Sequence, residues 1–335
     1  IIGGQWYAWN AYHIGDPVFP MLFDALGLAD GPLWDRDHAA YLRDFFAAGS
    51  AQISWWERWL AYPVVATLFP AFAMEAGRVG LGPFFLMIAP FSLFGVWRFS
   101  DRVRQSPLFP AAVCLALFYV LWLKFGGLPM VRHLLPVVPV LLLLLAVSAK
   151  RACEIRTSLN RPVGAAFLLV IALNFAALAF FVRPYVQYAF SDQTRTAFLT
   201  NQVNGYEAVD WLNRQPGVGK VLIMNRHYRF YIAPPTYFAH PTFQKVIETR
   251  MGRVEAKGFL KQLIDNKITH IFTNRPVSFS SGDASVDTAL DALAIAGCID
   301  PVQRFDTRWH FSRTLPSIGE MQHTLEIWRV GVQNC

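Results

Sequence analysis

The sequence has few charged residues for its length. Only 16% of its 335 residues are Asp, Glu, Lys or Arg, whereas 54% are hydrophobic and 15% aromatic. An ordinary soluble domain carries about 25% charged residues. This composition excludes an ordinary soluble protein and predicts a membrane protein or a protein with a large membrane part. The net charge is +7, but no basic run with interleaved aromatic residues accompanies it, so we expect no nucleic-acid partner.

Cysteine is also scarce. The four cysteines lie at positions 114, 153, 298 and 335, and none has the C-x-x-C spacing of a metal site. We therefore assign no metal-ligating residue and no cofactor, and the sequence leaves the participation of a divalent ion undecided. Cys298 and Cys335 could form a disulfide if the C-terminal region is periplasmic. Alternatively, Cys298 is an ordinary buried residue of a strand.

Motifs of several enzyme classes are missing. The chain has no G-x-G-x-x-G, no Walker A sequence and no G-x-S-x-G, which argues against a nucleotide-binding domain and against a serine hydrolase. The chain starts IIGGQWYAWN, without the charged segment that begins a signal peptide. We interpret this start as the end of a transmembrane helix. The expectation is then that the chain is the C-terminal part of a longer protein.

Four apolar segments have the length of membrane spans, at about 81–97, 107–125, 128–149 and 163–182. The short loops between them differ in basic residues. The middle loop carries Lys124 and Arg132, whereas the two flanking loops together carry Arg98, Arg102, Arg104, Lys150, Arg151, Arg156 and Arg161. Because short basic loops stay cytoplasmic, everything before residue 81 and after residue 183 is predicted to be extracytoplasmic.

Residues 16–80 predict an extracytoplasmic loop that lies in the membrane interface. Its segments are rich in Trp, apolar on one side and polar on the other. The run Trp59–Met74 is too short for a span and contains two prolines, and counting it as a span would invert the charge bias. We predict that Asp35, Arg36, Asp37 and His38 form the solvated first turn of a helix. A metal site is less suitable, because adjacent residues on a helix point in different directions and do not converge on one ion.

From about residue 184 the composition becomes that of a soluble domain. Three amphipathic helical patterns, GYEAVDWLNRQ, VEAKGFLKQLIDNK and DASVDTALDALAIAG, alternate with the apolar strand patterns GKVLIMN, ITHIFTN, CIDPVQRFDT and HTLEIWRV. This alternation predicts a small α/β domain over 184–335 with a mainly parallel sheet. The third helix is expected to end at Gly297. The predicted fold is thus a multi-pass α-helical membrane protein, with its membrane region over 1–183 and a C-terminal extracytoplasmic α/β domain.

A basic pair stands where the middle loop enters the third apolar segment. Arg132 at this depth is costly unless it meets an anion, and its guanidinium can bind a phosphate through two hydrogen bonds. The alternative is an arginine that extends to the interface and neutralises lipid headgroups without specificity. His133 is either a second phosphate donor or an interfacial polar residue. Lys124 is a weaker candidate for the same phosphate, and anchoring suits it better than catalysis.

Two further groups are candidate acceptor contacts. Glu57 and Arg58 lie among three tryptophans and could line an acceptor cleft, but a tryptophan belt at the lipid interface suits this stretch better. Tyr228, Arg229 and Tyr231 lie in a stretch rich in Tyr and Arg that is predicted to be a loop, NRHYRFYIAPPTYFAHP. They could contact a saccharide or a lipid headgroup. Equally, the loop could pack the domain onto the membrane region.

Three motifs stand in a fixed order: GDPVFP at 15–20, then GLGPFFLMIAP, then LPMVRHLLPVVP. In this order they resemble the bacterial GT-C glycosyltransferases of the RgtA/B/C/D-like group, which is related to the protein mannosyltransferase and aminoarabinose transferase families. The family pattern G-N-P-x-x-P is matched by Gly15, Asp16, Pro17 and Pro20. Asp16 departs from it, since Asn is usual there, and this puts in doubt any role of an amide at that position.

The resemblance implies transfer of a sugar, with inversion, from a polyprenyl-phosphate donor to a glycan, lipid or protein acceptor outside the bacterial inner membrane. It also implies that the catalytic base is an acidic residue in an earlier extracytoplasmic loop, so no base is named among these residues. The alternative is a non-catalytic, membrane-anchored binding or assembly protein of the cell envelope. A transporter is less consistent with the sequence, which shows neither an internal repeat nor paired broken helices.

Overall fold

The computed structural model describes residues 4–19, 22–31, 34–48, 62–64, 67, 82–98, 105–125, 134–250, 252–275, 285–310 and 320–331. The chain divides into two compact units. The first consists of Ile1–Phe45 with Asp192–Cys335, and the second is Phe46–Ser191. The predicted division at 183/184 placed the first 45 residues with the membrane region. In the structure they belong to the unit that holds the C-terminal domain.

The helices and strands follow one another in an order that matches the predicted change from apolar helices to an α/β domain. Two 3₁₀ turns cover Thr157–Leu159 and Arg226–Phe230. The longer elements are α1 (Gln5–Ile14), α2 (Arg36–Ala48), α3 (Pro83–Arg98), α4 (Phe109–Phe125), α5 (Val138–Ile155), α6 (Asn160–Ala189), α7 (Arg195–Gln202), α8 (Tyr206–Arg214), β1 (Lys220–Ile223), β2 (Thr236–Phe238), α9 (Ala256–Asp265), β3 (Ile268–Arg275), α10 (Ser285–Ile295), β4 (Ile299–His310) and β5 (Glu320–Val330).

Each of the four apolar segments overlaps a helix, α3 to α6, in the second unit, and the overlap is least for the third, since α5 begins at Val138 and ends at Ile155. Among the residues described, one helical stretch, Thr157–Ala189, is long and apolar enough to cross a membrane by itself. The helices α3 and α4 are apolar but shorter, and α5 contains Lys150, Arg151 and Glu154. One such stretch is weak support for a membrane protein, so the multi-pass architecture stays a prediction.

Small residues let α3 and α5 approach closely within the second unit. A Cβ added to Gly95 would lie 2.3 Å from the carbonyl oxygen of Ser148. On the same face, the Ser92 hydroxyl is 2.7 Å from the carbonyl oxygen of Leu145 and 3.0 Å from that of Ile88. Close backbone approach at small residues is typical of helix pairs in an apolar environment, where Ser hydroxyls supply hydrogen bonds between helices.

The five described strands form one mixed sheet in the order β2-β1-β3-β5-β4. The strands β2, β1 and β3 are parallel, whereas β5 is antiparallel to both β3 and β4. The predicted sheet was mainly parallel, so the antiparallel hairpin β4–β5 is a difference. The strand β2 is a second difference, because its residues lie in the stretch predicted to be a loop.

The strand β1 shows how the sheet divides two hydrophobic cores. Val221 and Ile223 face the core that contains α8, while Leu222 faces the core that contains α9 and α10. The alternation follows from the pleat of a strand, which points successive side chains to opposite faces. All three side chains are fully buried. The predicted helices α8, α9 and α10 thus cover both faces of the sheet.

Two glycines end or begin helices where a left-handed backbone is needed. Gly297 follows α10 with φ of 72°, and the Cys298 amide donates to the carbonyl oxygen of Leu293; the predicted helix end is confirmed. Gly205 precedes α8 with φ of 70°. A Cβ there would lie 2.2 Å from Leu325, so only glycine fits this position.

Cys298 forms a disulfide, which agrees with the first of the two alternatives given for this residue. Cys114 and Cys153 are free thiols. The predicted partner, Cys335, lies outside the residues that the structure describes.

Candidate functional site

The residues predicted to bind the donor phosphate lie at one end of α4 or close to it in sequence. Lys124 is in the last turn of α4 with its side chain exposed. Arg132, His133, Glu57 and Arg58 fall outside the described residues. For these four, the structure gives only the positions of neighbours in sequence.

Those neighbours pack together. Tyr62, Leu123 and Leu134 form one buried cluster, and the Tyr62 ring lies 5.2 Å from the ring of Trp122 between centroids. Leu123 adjoins Lys124, Leu134 adjoins His133, and Tyr62 comes four residues after Arg58. The cluster therefore packs together three described residues that stand close in sequence to Lys124, to His133 and to the candidate acceptor residue Arg58.

The carboxylate of Asp16 holds the turn of the DPVFP motif. Asp16 is fully buried; its Oδ1 accepts a hydrogen bond from the Val18 amide at 2.9 Å, and its Oδ2 accepts one from the Leu22 amide at 3.0 Å. Gly15 ends α1 in a left-handed conformation with φ of 82°, and Pro17 begins the turn. Because both oxygens of Asp16 are engaged with the backbone, its role here is structural.

Aromatic contacts connect this turn to α2. The Phe19 and Trp34 rings are 5.5 Å apart, and the Trp34 and His38 rings 4.4 Å apart. His38 is only 1% exposed, and neither ring nitrogen makes a well-aligned hydrogen bond to a described residue. Burial lowers the pKa of His38 and the charge of Arg250 lowers it further, while the nearby Pro241 carbonyl acts in the opposite direction.

Ion pairs join the start of α2 to the loop between β2 and α9. Asp35 Oδ2 lies 2.5 Å from Lys245 Nζ. Asp37 Oδ2 lies 2.8 Å from Arg250 and 2.5 Å from Arg253. Burial raises the pKa of Asp35, but the Lys245 ammonium and the His38 amide lower it more, so the net direction is down. Hydrogen bonds from Arg253 and Arg250 lower the pKa of Asp37.

Arg250 is the centre of this ion-pair cluster. Its side chain is only 10% exposed and also pairs with Glu248, with 2.5 Å between the closest atoms. Its Cζ lies 5.8 Å from the centroid of the Tyr41 ring. Thus Arg250 has a carboxylate on two sides and an aromatic ring on a third, which fixes its position.

The solvated helix turn predicted for residues 35–38 holds for Arg36 and Asp37, which are exposed, and is corrected for His38. The helix does begin there, but His38 is buried and the two aspartates pair with residues more than 200 positions away. The sequence contained a signal for the burial: Trp34, His38 and Leu42 recur every four residues and are all buried. No local signal identifies the basic partners.

The candidate acceptor residues of the C-terminal domain are divided by burial. Tyr228 is 3% exposed, its ring lies 4.8 Å from the Phe272 ring, and its hydroxyl donates to the carbonyl oxygen of Asn204. Burial raises the pKa of Tyr228. Tyr231 is half-buried, whereas Arg229 is exposed. Contrary to the loop prediction, Tyr228 packs the domain core, and Arg229 is the residue of this group that is open to solvent.

Metal binding receives no new support. Among the described residues, no group of three or more His, Cys, Asp or Glu side chains is arranged to hold a metal ion. No protein-family model matches the chain, and neither a curated protein nor a solved structure is similar to it. The resemblance to GT-C glycosyltransferases thus depends on three motifs and their order.

Proposed function

We propose that this chain is the C-terminal part of a GT-C-type glycosyltransferase of the bacterial inner membrane. It transfers a sugar from a polyprenyl-phosphate donor to a glycan, lipid or protein acceptor outside the membrane. The α/β domain follows the last membrane span on the extracytoplasmic side. Arg132, with His133 and Lys124, binds the donor phosphate.

The packing of Tyr62, Leu123 and Leu134 is the observation that carries this proposal. The cluster holds three separate segments together. Each segment carries a predicted site residue, Arg58, Lys124 or His133, that lies at most four residues in sequence from its cluster member. Motif order alone does not require this convergence. A phosphate site built by Lys124, Arg132 and His133 requires the Leu123 and Leu134 parts of it, because a single phosphate must be reached from both sides of the middle loop.

The chemistry needs a cation at the headgroup level. An acceptor hydroxyl attacks the anomeric carbon and gives its proton to a base, while the bond to the phosphate oxygen breaks and the phosphate leaves with the electron pair. Arg132 stabilises the negative charge that builds on this phosphate. Asp16 is not the base, because it is buried and both its oxygens accept backbone hydrogen bonds. We expect the base in sequence upstream of residue 1.

Two features support the extracytoplasmic placement of the α/β domain. Cys298 forms a disulfide, and disulfides persist in oxidising compartments. The basic residues at the end of α5 and the start of α6 favour a cytoplasmic loop between these helices. The α/β domain, which follows α6 in the chain, then lies outside.

The test is an Arg132→Ala change in the full-length gene product, assayed in proteoliposomes with polyprenyl-phosphate sugar donors. We expect turnover to fall about 100-fold or more, because one main stabiliser of the leaving phosphate is lost. Arg132→Lys should keep part of the activity, since it retains a charge but not the two-pronged hydrogen bonding. Arg161→Ala, at the start of α6, is the matched control and should be unaffected.

Unchanged turnover and donor affinity in Arg132→Ala would remove Arg132 from the site. If the unaltered protein transfers no sugar from any such donor but still binds an envelope component, the non-catalytic binding or assembly protein becomes the better description.

A further inference from the structure

The 3₁₀ turn after β1 points two arginines in the same direction. In a 3₁₀ helix, residues three apart lie above one another, and Arg226 and Arg229 have this spacing. Both side chains are exposed. The turn is fixed by Tyr228, which is buried between them, and by Asn225, whose Oδ1 accepts a hydrogen bond from the His227 amide at 3.0 Å. The two arginine side chains therefore start from the same face of the turn.

These two charges are not neutralised within the described part of the chain. None of its ion pairs includes Arg226 or Arg229, although the neighbouring ion-pair cluster engages Lys245, Arg250 and Arg253. Two like charges on one face of a short turn repel each other. Such an arrangement is stabilised when an anion binds between or beside them.

Exposed phenylalanines flank this basic pair. Phe230, the last residue of the 3₁₀ turn, is 81% exposed, and Phe243 is 62% exposed. The Phe243 ring centroid lies 5.8 Å from that of Phe238 and 5.5 Å from that of His240, so these two rings support it on its protein side. Because β1 and β2 are adjacent and parallel, the turn after β1 and the loop after β2 extend from the same edge of the sheet.

We propose that this edge, defined by Arg226, Arg229, Phe230 and Phe243, binds the surface of a membrane that contains anionic lipids. The two phenylalanines enter the boundary between headgroups and acyl chains, and the two arginines bind lipid phosphates. The α/β domain is thus held on the bilayer by a contact of its own, in addition to the predicted spans.

The pattern favours lipid over a protein partner. Two exposed aromatic side chains beside two arginines that form no ion pair with a described residue match the membrane surface, where aromatic rings lie at headgroup level and cations meet anionic lipids. The same unit contains a second group suited to the interface, the helix α1. Trp6, Trp9 and Tyr12 of α1 are each more than half exposed, and α1 bears no acidic residue. Trp and Tyr are enriched where membrane meets water.

The test measures membrane depth at single sites in the full chain. Cys114 and Cys153 are replaced by Ser, and single cysteines are introduced as Phe230→Cys, Phe243→Cys and Ile295→Cys. Each carries an environment-sensitive fluorophore in proteoliposomes of equal parts phosphatidylcholine and phosphatidylglycerol. Ile295 is the matched control, because it is 88% exposed but lies at the end of α10, at the opposite edge of the sheet.

Spin-labelled lipids with the label near the headgroup should quench the fluorophores at 230 and 243 but not at 295. Because both phenylalanines are exposed, these substitutions leave the core intact. Labels at 230 and 243 that remain as accessible to water as the label at 295 would overturn the proposal.

The role of charge is tested by Arg226→Gln with Arg229→Gln. Each arginine near an anionic surface favours the membrane-bound state by about fivefold. In the double variant, the ratio of membrane-bound to unbound states of this sheet edge should therefore fall about 25-fold. Vesicles of phosphatidylcholine alone should weaken quenching in the same direction. The matched control, Lys261→Gln with Lys267→Gln on α9 and before β3, should leave quenching unchanged. Equal losses in both double variants would refute the specific role of the arginine pair.

Discussion

At the scale of single residues, the molecule distinguishes buried from exposed charge. Arg250 and Arg253 both pair with Asp37, but the side chain of Arg250 is 10% exposed and that of Arg253 is 50% exposed. An exposed ion pair is screened by water and contributes little. When one partner of a buried pair is removed, the other charge is left without compensation, which is costly.

We therefore expect Arg250→Ala to destabilise the first unit by about 2 to 4 kcal/mol, because Glu248 loses its main partner. Arg253→Ala, the matched control, should cost about 0 to 1 kcal/mol. Thermal unfolding of the purified chain, followed by near-ultraviolet circular dichroism, measures both. Equal shifts in the two variants would contradict the difference in burial.

A second prediction concerns acid. Burial, together with the charge of Arg226, lowers the pKa of His240 from its usual 6.5 to about 4. The unfolded chain therefore binds this proton at a higher pH than the folded protein does. Stability is lost as the pH falls from about 6.5 towards 4, and the loss reaches roughly 2 to 3 kcal/mol.

His240→Asn is the variant that tests this. Its amide oxygen can accept the hydrogen bond that His240 Nδ1 receives from the Thr242 amide, but it does not titrate. The midpoint of urea unfolding, measured from pH 7 to pH 4, should fall less steeply in the variant. Asp35 and Asp37 act in a different range, since their lowered pKa values remove stability only below about pH 4. Parallel pH profiles would rule out His240 as the source.

At the scale of elements, the pairing of α3 with α5 depends on one glycine. A Cβ at Gly95 would meet the backbone of α5, which cannot move aside as a flexible side chain could. Gly95→Ala should cost about 1 to 3 kcal/mol through overpacking. At Gly164 in α6 an added Cβ meets nothing within 4 Å, so Gly164→Ala should be neutral or slightly stabilising. Thermal stability in detergent distinguishes the two, and similar stabilities would mean that α3 and α5 are further apart.

Elements differed in how far sequence patterns could predict them. The helices α8, α9 and α10 and the strands β1 and β3 lie where the periodicity of apolar residues placed them, because each has one or two buried faces. The three-residue strand β2 was missed, since Thr236, Tyr237 and Phe238 follow two prolines and are only half-buried. The antiparallel direction of β5 depends on pairing between strands, which periodicity within one strand does not contain.

At the scale of the whole molecule, orientation across the membrane can be measured. In a chain with Cys114 and Cys153 replaced, Lys261→Cys in α9 should react with an impermeant maleimide added outside intact cells. Ser158→Cys, in the basic loop before α6, should react only after permeabilisation. Both positions are exposed, so access reports the side of the membrane and not burial. The opposite result would invert the proposed topology.

The candidate site was only partly predictable. The turn around Asp16 and the identity of the donor-binding candidates came from motifs, because spacing along the chain determines a turn. The convergence of Tyr62, Leu123 and Leu134 could not be predicted from motifs, because the three segments meet only through packing. The burial of Tyr228 was missed for the same reason, since an aromatic residue in a stretch rich in Tyr and Arg has the same local pattern whether it faces solvent or the core.

Several features could be recognised without the fold: the low charge, the apolar segments, the alternation of helix and strand after residue 205, and the end of α10 at Gly297. These are properties of residues close together in the chain. The first 45 residues join the C-terminal domain through long-range pairs such as Asp35 with Lys245, which are 210 positions apart, and no local pattern predicts such a pair. The strength of charge attraction and the degree of burial depend on distances in space, and the fold sets the distance between these residues.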